Sequence, residues 1–120
     1  MDKKKVLIVE DDIIIQKLIQ LRLIHLGYDV CGMAETSPDA ISIAHNTNPD
    51  FILMDINLDG KIDGVETARL IKAYLNSRII FLTGLTDDGV IDRVKDIHPD
   101  GYILKPFSDN DLRIALELAK

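Results

Sequence analysis

Short apolar runs alternate along this chain with longer segments whose apolar residues recur at helical spacing. The runs are continuous rather than alternating, and they are rich in β-branched residues. Both properties are typical of strands that are buried on both faces of a sheet. The predicted strands cover residues 6–9, 28–34, 51–54, 78–83 and 101–105.

Helix start and stop signals lie between these runs. We predict Asp12 as the N-cap of the first helix, with Gly27 just past its end. Ser37 is predicted to cap the second helix. Ser108 is predicted to cap the last, where Asp111 completes a start that resembles a capping box. The predicted helices cover residues 13–26, 37–46, 64–75, 87–97 and 108–120.

The alternation of five strands with five helices indicates βαβ units and a parallel sheet covered by helices on both faces. Right-handed crossovers restrict the possible strand orders to a few. Binding sites in open sheets of this kind form beyond the carboxyl ends of the strands. The length of 120 residues suits one domain, which we assign to residues 1–120.

Polar side chains follow four of the five predicted strands. Glu10 and Asp11 follow the first strand, and Asp55 follows the third. Thr83 ends the fourth strand and Lys105 ends the fifth. The carboxyl ends of parallel strands share one edge of the sheet. We therefore expect three carboxylates, a hydroxyl and an ammonium group to meet there.

The chemistry of this set indicates phosphoryl transfer. Several carboxylates in close proximity repel one another and favour a bound cation. Hard oxygen ligands suit Mg²⁺, which is often held by one or two carboxylates together with phosphate and water. Asp55 is then a candidate nucleophile towards a phosphoryl group. Lys105 and Thr83 are candidates to supply positive charge and a donor to the phosphoryl oxygens.

Composition excludes several other classes of function. The net charge of −6 disfavours nonspecific binding to nucleic acid or acidic membranes, and the chain lacks Trp for base stacking. One cysteine cannot form an internal disulfide, which suits a reducing cytoplasm. No apolar run approaches the roughly 20 residues of a membrane span. We expect a cytoplasmic protein that contacts neither nucleic acid nor membrane directly.

The segments VLIVEDD, FILMDINLDGKIDGVE, IIFLTG and GYILKPF resemble the receiver domain of two-component response regulators. The resemblance covers essentially the whole chain, in the right order. It implies a flavodoxin-like (βα)5 three-layer α/β sandwich with strand order 2-1-3-4-5. It also implies phosphoryl transfer onto Asp55 from a histidine kinase or a histidine phosphotransfer protein, with Mg²⁺ as the cofactor.

The resemblance assigns a role to each matching position. Glu10 and Asp11 match the acidic pair that binds Mg²⁺ together with the acceptor, and Asp11 matches the direct ligand. Asn57 matches the residue whose backbone carbonyl contacts the metal. Thr83 and Lys105 match the pair that senses the phosphate.

The resemblance also implies a conformational switch. Tyr102 matches an aromatic switch residue whose rotamer is coupled to Thr83. Its movement would repack the surface formed by helix four, strand five and helix five, where an effector would bind. The protein would be a monomer or a phosphorylation-dependent dimer. It would be either a stand-alone receiver or part of a longer protein.

Two positions depart from the common family pattern. Many receivers carry a proline four residues after the acceptor, where this chain has Asp59-Gly60 in a loop that is one residue longer. Two residues after Thr83, the apolar Leu85 stands where a polar side chain often orients water. We expect a more flexible, more acidic loop and slow hydrolysis of the phosphate.

The first helix carries apolar residues around much of its circumference. We expect one face to meet the sheet, with Ile15, Leu18, Ile19, Leu23 and Leu26. Ile14, Leu21 and Ile24 then remain at least partly exposed. These are either scattered surface apolars or part of a docking face for the phosphodonor, which would comprise Ile14, Leu18 and Leu21.

Several alternatives compete with this interpretation. Taken singly, Asp55 would be a turn residue or cap, Lys105 a surface lysine, Thr83 an ordinary strand-end residue and Tyr102 a half-buried aromatic. A haloacid dehalogenase-type phosphatase would carry its DxD motif after the first strand, where this chain has EDD. A flavodoxin needs a hydroxyl-rich phosphate loop there. A pseudo-receiver that no longer accepts phosphate conflicts with the intact residue set.

Overall fold

The computed structural model describes residues 3–58, 63–84 and 88–119, with side chains throughout except at residues 88–91. Its strands are β1 (Lys5–Val9), β2 (Asp29–Ala34), β3 (Phe51–Asp55), β4 (Arg78–Thr83) and β5 (Gly101–Leu104). They pair in parallel in one sheet, in the order β2-β1-β3-β4-β5. The predicted strand order is therefore confirmed.

Helices cover both faces of this sheet. They are α1 (Ile13–His25), α2 (Ser37–Thr47), α3 (Gly64–Lys72), α4 (Asp88–Ile97) and α5 (Asp109–Leu118). Buried residues of α1 and α5 join one apolar cluster, and buried residues of α2, α3 and α4 join another. The sheet lies between the two clusters, so the predicted flavodoxin-like three-layer α/β sandwich is confirmed.

Burial of the central strands on both faces of the sheet explains the continuous apolar runs of the sequence. Side chains of Leu7 and Val9 enter the cluster with α2 and α3, whereas those of Val6 and Ile8 enter the cluster with α1 and α5. All four are fully buried. Since successive side chains of a strand point to opposite faces, a strand covered on both sides needs an apolar residue at every position.

Three predicted helix boundaries are confirmed by their caps. The Asp12 carboxylate accepts hydrogen bonds from the backbone N–H groups of Ile14 and Ile15. Gly27 follows α1 with a φ of +93°, a conformation that glycine adopts without steric cost. At the start of α5, Ser108 forms a capping box with Asp111.

The predicted cap of α2 is wrong by one residue. Thr36 is the N-cap, and its hydroxyl accepts a hydrogen bond from the backbone N–H of Asp39. Ser37 is the first residue of the helix and is buried. Its hydroxyl accepts a hydrogen bond from Thr67 of α3 at 2.8 Å. Two adjacent hydroxyl residues satisfy the same sequence signal, and packing against α3 decides between them.

The other strands and helices end within a few residues of their predicted ends. β3 includes Asp55, and β5 ends at Leu104, so Lys105 stands just beyond its strand. α3 ends at Lys72, where the C-cap Ala73 donates its N–H to Arg69, three residues short of the predicted end. The Lys105–Pro106 peptide bond is cis.

The inward face of α1 differs from the prediction. Ile19 and Leu23 are buried as expected, but Leu18 is 44% exposed, and the third buried residue of the helix is Gln16. Residues 16, 19 and 23 follow helical spacing, which turns Leu18 towards solvent. Because α1 is apolar nearly all round, its sequence pattern did not determine which side faces the sheet.

A membrane span needs a longer apolar helix than any in the described part of the chain. The helix α1, for example, has only 13 residues.

Gly64 places the start of α3 directly against the backbone at the end of β3. Its N–H donates a hydrogen bond to the carbonyl of Ile56 at 3.0 Å. A Cβ atom at this position would collide with the carbonyl oxygen of Asp55 and approach the Cα of Ile56 to 2.9 Å. Only glycine fits this approach without backbone movement, and Asp63 before it caps the helix by accepting from the Glu66 N–H.

We expect Gly64→Ala to lower the free energy of unfolding by about 1–3 kcal/mol, because the added methyl group forces the backbone at Asp55 to shift. Urea unfolding followed by far-ultraviolet circular dichroism measures this. Gly101→Ala is the matched control, since its Cβ would lie 3.9 Å from Ile80, an ordinary contact. It should be neutral or stabilising by up to about 1 kcal/mol. Equal stability of the two variants would contradict the close approach at Gly64.

Candidate functional site

The carboxyl ends of four strands meet at one edge of the sheet. Val9 is paired with Met54, and Asp55 is paired with Leu82. Glu10, which follows Val9, therefore stands beside Asp55. Thr83 is paired with Leu104, so Lys105 follows at the same level. The structure therefore brings Glu10, Asp55 and Lys105 to one edge of the sheet, although Glu10 and Lys105 are 95 positions apart in the sequence.

Three carboxylates form the centre of this site. Glu10, Asp11 and Asp55 each offer an oxygen, and these oxygens lie within 4.8 Å of one another. Glu10 is 1% exposed and Asp55 is 3% exposed, whereas Asp11 is half-buried. The backbone N–H of Asn57 donates to Oδ1 of Asp55 at 3.0 Å, which fixes the direction of that carboxylate. The Asn57 side chain itself is exposed.

Lys105 points into the acidic cluster. Its Nζ atom lies 2.8 Å from Oε1 of Glu10 and 3.6 Å from Oδ2 of Asp55. Its backbone N–H donates to the carbonyl of Thr83 at 2.8 Å, which anchors the residue at the end of β4. Partial burial alone would lower the pKa of Lys105, but the two carboxylates outweigh this and raise it. The side chain is therefore a cation at neutral pH.

Burial raises the pKa of Glu10, whereas it acts to lower the pKa of Lys105. Removal from water raises the pKa of this carboxyl to about 8, and the adjacent Asp55 carboxyl adds to the shift. A protonated Glu10 can donate a hydrogen bond to Asp55, and protonation removes the repulsion between the two charges. The ammonium group of Lys105 acts against this shift but does not cancel it. Among the described residues, Lys105 is the one cation that pairs with these carboxyl groups, so they outnumber it three to one.

The residues present fit a divalent metal ion. Among the described residues, Oε2 of Glu10 is buried and has no hydrogen-bond partner. A buried carboxylate oxygen of this kind is costly unless a cation or donor compensates it. The donor set consists of carboxylate oxygens, which are the ligands that Mg²⁺ prefers over softer metals.

Thr83 and Tyr102 differ in exposure. Thr83 is 3% exposed and follows Leu82, the residue paired with Asp55. Tyr102 lies on β5 opposite Phe81 and is 63% exposed, so it is not the half-buried core aromatic of the alternative interpretation. Leu85 and the Asp59-Gly60 pair, for which the sequence suggested effects on phosphate lifetime and loop flexibility, lie outside the described residues.

Sequence reasoning missed two residues around the site. Gly64 packs against the backbone of Asp55, and the side chain of Gln16 donates to the carbonyl of Glu10 at 3.2 Å. For Gly64 the sequence did contain a signal, since glycine is a poor helix former and is unexpected directly after the N-cap Asp63. Its presence there indicates a close approach that excludes larger residues. For Gln16 the sequence offered no usable signal, because α1 is apolar nearly all round and its pattern does not determine which residues face the sheet.

The comparison with known proteins agrees with this geometry. Residues 6–117 match the family model described as response regulator receiver domain. The transcriptional regulatory protein PdtaR of Mycobacterium tuberculosis is 32% identical over 116 residues, which cover 97% of this chain and 56% of PdtaR. The probable transcriptional regulator ycf27 of Guillardia theta is 37% identical over 112 residues, which cover 92% of this chain and 42% of the relative. The chain thus spans about half the length of these relatives.

Solved structures show the same likeness. The signal receiver domain of a modulated diguanylate cyclase from Desulfovibrio desulfuricans G20 superposes with a TM-score of 0.93 at 39% identity, covering 98% of this chain and 94% of that one. The chemotaxis protein CheY4 of Vibrio cholerae superposes with a TM-score of 0.90 at 26% identity, covering 99% and 100%. The fold, the acidic edge with its lysine and these matches lead to one conclusion: the chain belongs to the family of response regulator receiver domains, the phosphoacceptor signalling domains of two-component systems.

Proposed function

We propose that Asp55 accepts a phosphoryl group from a phosphohistidine donor, with Mg²⁺ held by Glu10, Asp11, Asp55 and the backbone carbonyl of Asn57. Phosphorylation and Mg²⁺ binding at an acidic pocket are general features of receiver domains. The observation that supports the proposal in this chain is the convergence of three carboxylates on one lysine at the edge of the sheet.

In this reaction an oxygen of Asp55 attacks the phosphorus atom, and the bond between phosphorus and the donor imidazole nitrogen breaks. The electron pair of that bond leaves with the imidazole. The Asn57 N–H holds Oδ1 of Asp55, while Oδ2 faces the ammonium group of Lys105. Mg²⁺ when bound supplies positive charge that offsets the repulsion between the carboxylates and the phosphoryl oxygens. The buried strand end keeps Asp55 in one orientation for in-line attack.

Lys105 and Thr83 are proposed to bind the phosphoryl oxygens. The Lys105 ammonium now donates to Glu10 at 2.8 Å and stands 3.6 Å from Asp55, so a small rotation of its side chain brings it to a phosphate on Asp55. The buried Thr83 lies at the end of the strand next to Asp55. Tyr102 is proposed as the switch residue, which would move from its exposed position when Thr83 engages the phosphate.

An output surface for an effector is proposed beside β5. Receiver domains interact with histidine kinases and with effectors. Between β5 and α5 lies a groove whose exposed apolar side chains would contact such a partner: Tyr102, Leu104, Ile114 and Leu118. Movement of Tyr102 would change the shape of this groove, because the residue lines it.

The docking face for the phosphodonor is proposed on α1. Ile14 is 80% exposed and Leu21 is 66% exposed, and both lie with Leu18 on the outward side of the helix. α1 begins two residues after Asp11, so this surface adjoins the acidic edge of the sheet. A helical partner that covers these residues would bring its phosphohistidine close to Asp55.

The remaining expectations also stand as proposals. We assign residues 1–120 to one receiver domain that works in the cytoplasm as a monomer or a phosphorylation-dependent dimer. Slow loss of its own phosphate is proposed from Leu85. Direct contact with nucleic acid or membrane is not part of the proposed function of this domain, whose net charge is −6.

The decisive experiment is to incubate the protein with Mg²⁺ and acetyl phosphate and to measure its intact mass. We expect one phosphoryl group, dependent on Mg²⁺, stable in acid and labile in base, and absent from Asp55→Asn. Asp12→Asn is the matched control. It removes a neighbouring carboxylate that only caps α1, and asparagine caps equally well. It should be phosphorylated like the wild type.

A wild-type protein without an adduct, even with a phosphorylated histidine protein as donor, would contradict the proposal. The chain would then be a pseudo-receiver that signals by binding alone. Phosphorylation of Asp55→Asn to the wild-type extent would place the acceptor elsewhere.

The docking face can be tested by changing Ile14 and Leu21 to Ser together. We expect phosphotransfer from a phosphohistidine protein to slow about tenfold or more, because two exposed apolar contacts are lost. Labelling by acetyl phosphate, which needs no docking, should stay unchanged. The control is Leu70→Ser, which removes a 38% exposed leucine from α3 on the opposite face of the sheet. Equal loss with both donors would contradict a docking role.

The acidic cluster predicts an unusual pH dependence of stability in the absence of metal. Folding raises the pKa of Glu10 from 4.5 to about 8. Between these two pH values, Glu10 is protonated in the folded protein and deprotonated in the unfolded chain. The contribution of Glu10 to stability is therefore full below about pH 4.5 and is lost as pH rises towards 8. Asp55→Asn should reduce this decline and stabilise the metal-free protein by about 1 kcal/mol at pH 8.

Urea unfolding in a chelator at pH 5 and pH 8 measures the decline, with Asp12→Asn again as the control that should behave like the wild type. Adding Mg²⁺ should stabilise the wild type more at pH 8 than at pH 5, because ligand carboxylates must be deprotonated. A metal-free wild type that gains stability relative to Asp55→Asn between pH 5 and 8 would show that the sign is wrong.

A further inference from the structure

Gln16 is a buried polar residue on the side of α1 that faces the sheet. It is 6% exposed, and the other buried residues of this helix are Ile19 and Leu23. An amide in such a position is unfavourable unless its hydrogen bonds are made. Apolar residues are abundant in α1, so burial of a glutamine here calls for a specific interaction.

The amide of Gln16 reaches the ends of two strands. Its Nε2 atom donates to the carbonyl of Glu10 at 3.2 Å and lies 3.4 Å from the carbonyl of Ala34. The same Ala34 carbonyl accepts the backbone N–H of Glu10 at 3.0 Å. Gln16 thus continues the pairing of β1 and β2 by one step beyond Val9 and Ala34, where the regular ladder ends.

This contact fixes the peptide that joins the acidic pair. The Glu10 carbonyl belongs to the planar peptide unit between Glu10 and Asp11, so holding it orients the Cα atoms on both sides. The side chains that leave these Cα atoms carry two of the three carboxylates of the cluster. An Asp11 that follows a free peptide would lose this preset direction, because loop residues beyond a strand end are otherwise held weakly.

We propose that Gln16 is a positioning residue for the metal site, acting through the peptide between Glu10 and Asp11. The inference rests on the proposed function, since it concerns the affinity of the same carboxylates for Mg²⁺. Mg²⁺ demands nearly ideal octahedral geometry, so small displacements of its ligands weaken binding. Groups that orient the ligands of a metal typically contribute 10–100-fold in affinity.

Gln16→Met tests the proposal, because methionine has the same length and fills the same space without a hydrogen-bond donor. The matched control is Gln20→Met, one turn further along α1 on a half-buried residue. Isothermal titration with Mg²⁺ alone should give a dissociation constant about tenfold higher for Gln16→Met and an unchanged one for Gln20→Met. Labelling by acetyl phosphate at saturating Mg²⁺ should return to the wild-type rate, because the acceptor itself is intact.

The outcomes separate this inference from the proposed function. Wild-type affinity for Mg²⁺ in a folded Gln16→Met would overturn the role of Gln16 and leave the proposed function standing. A wild-type protein that binds no Mg²⁺ would overturn both. A rate that stays low at saturating Mg²⁺ would also overturn positioning of the metal ligands, since it would indicate a defect beyond affinity. If Gln16→Met does not fold, Gln16→Ala replaces it with the same expected tenfold loss and the same criteria.

Discussion

The close approach of three carboxyl groups at one edge of the sheet is the constraint on which the site of this domain depends. Glu10, Asp11 and Asp55 lie at the end of a sheet whose central strands are mainly apolar, and Lys105 places a positive charge among them. Burial raises the pKa of Glu10 because charge is unfavourable there. The two apolar clusters on either side of the sheet hold this edge together, and the central strands β1, β3 and β4 are buried at almost every position.

The topology explains why the carboxyl groups are concentrated at this edge. β1 and β3 are neighbours, yet the helix that follows β1 packs on one face of the sheet and the helix that follows β3 packs on the other. The two connections therefore diverge and leave a crevice at the carboxyl ends of the strands. Glu10 and Asp11 enter this crevice from one side and Asp55 from the other, with Gly64 bringing α3 against the backbone of Asp55.

Much of this was predictable from the sequence, because it depends on one-dimensional signals. Continuous apolar runs mark strands buried on both faces, and the polar residue after each run must lie at the common edge of a parallel sheet. That rule places Asp55, Glu10 and Lys105 at one edge, and the strand order implied by the resemblance makes β1 and β3 neighbours. The rotation of α1 was not predictable, because a helix that is apolar nearly all round has no preferred inward face in its pattern. Leu18 was assigned to the wrong side of the helix for this reason, and the burial of Gln16 was not predicted. The close approach at Gly64 depends on distances between backbones, which a sequence pattern does not contain.

The lysine connects the chemistry of the site to the proposed output surface. Lys105 follows β5 directly, and its N–H is held by the carbonyl of Thr83, so neither residue can move far without the other. Its ammonium group forms an ion pair with Glu10. A phosphate on Asp55 would compete with Glu10 for this ammonium group. A ligand shifts an equilibrium only by its differential affinity for the two states. In the proposed function, the exchange of Lys105 from Glu10 to the phosphate would provide the difference in free energy that a movement of Thr83 and Tyr102 requires.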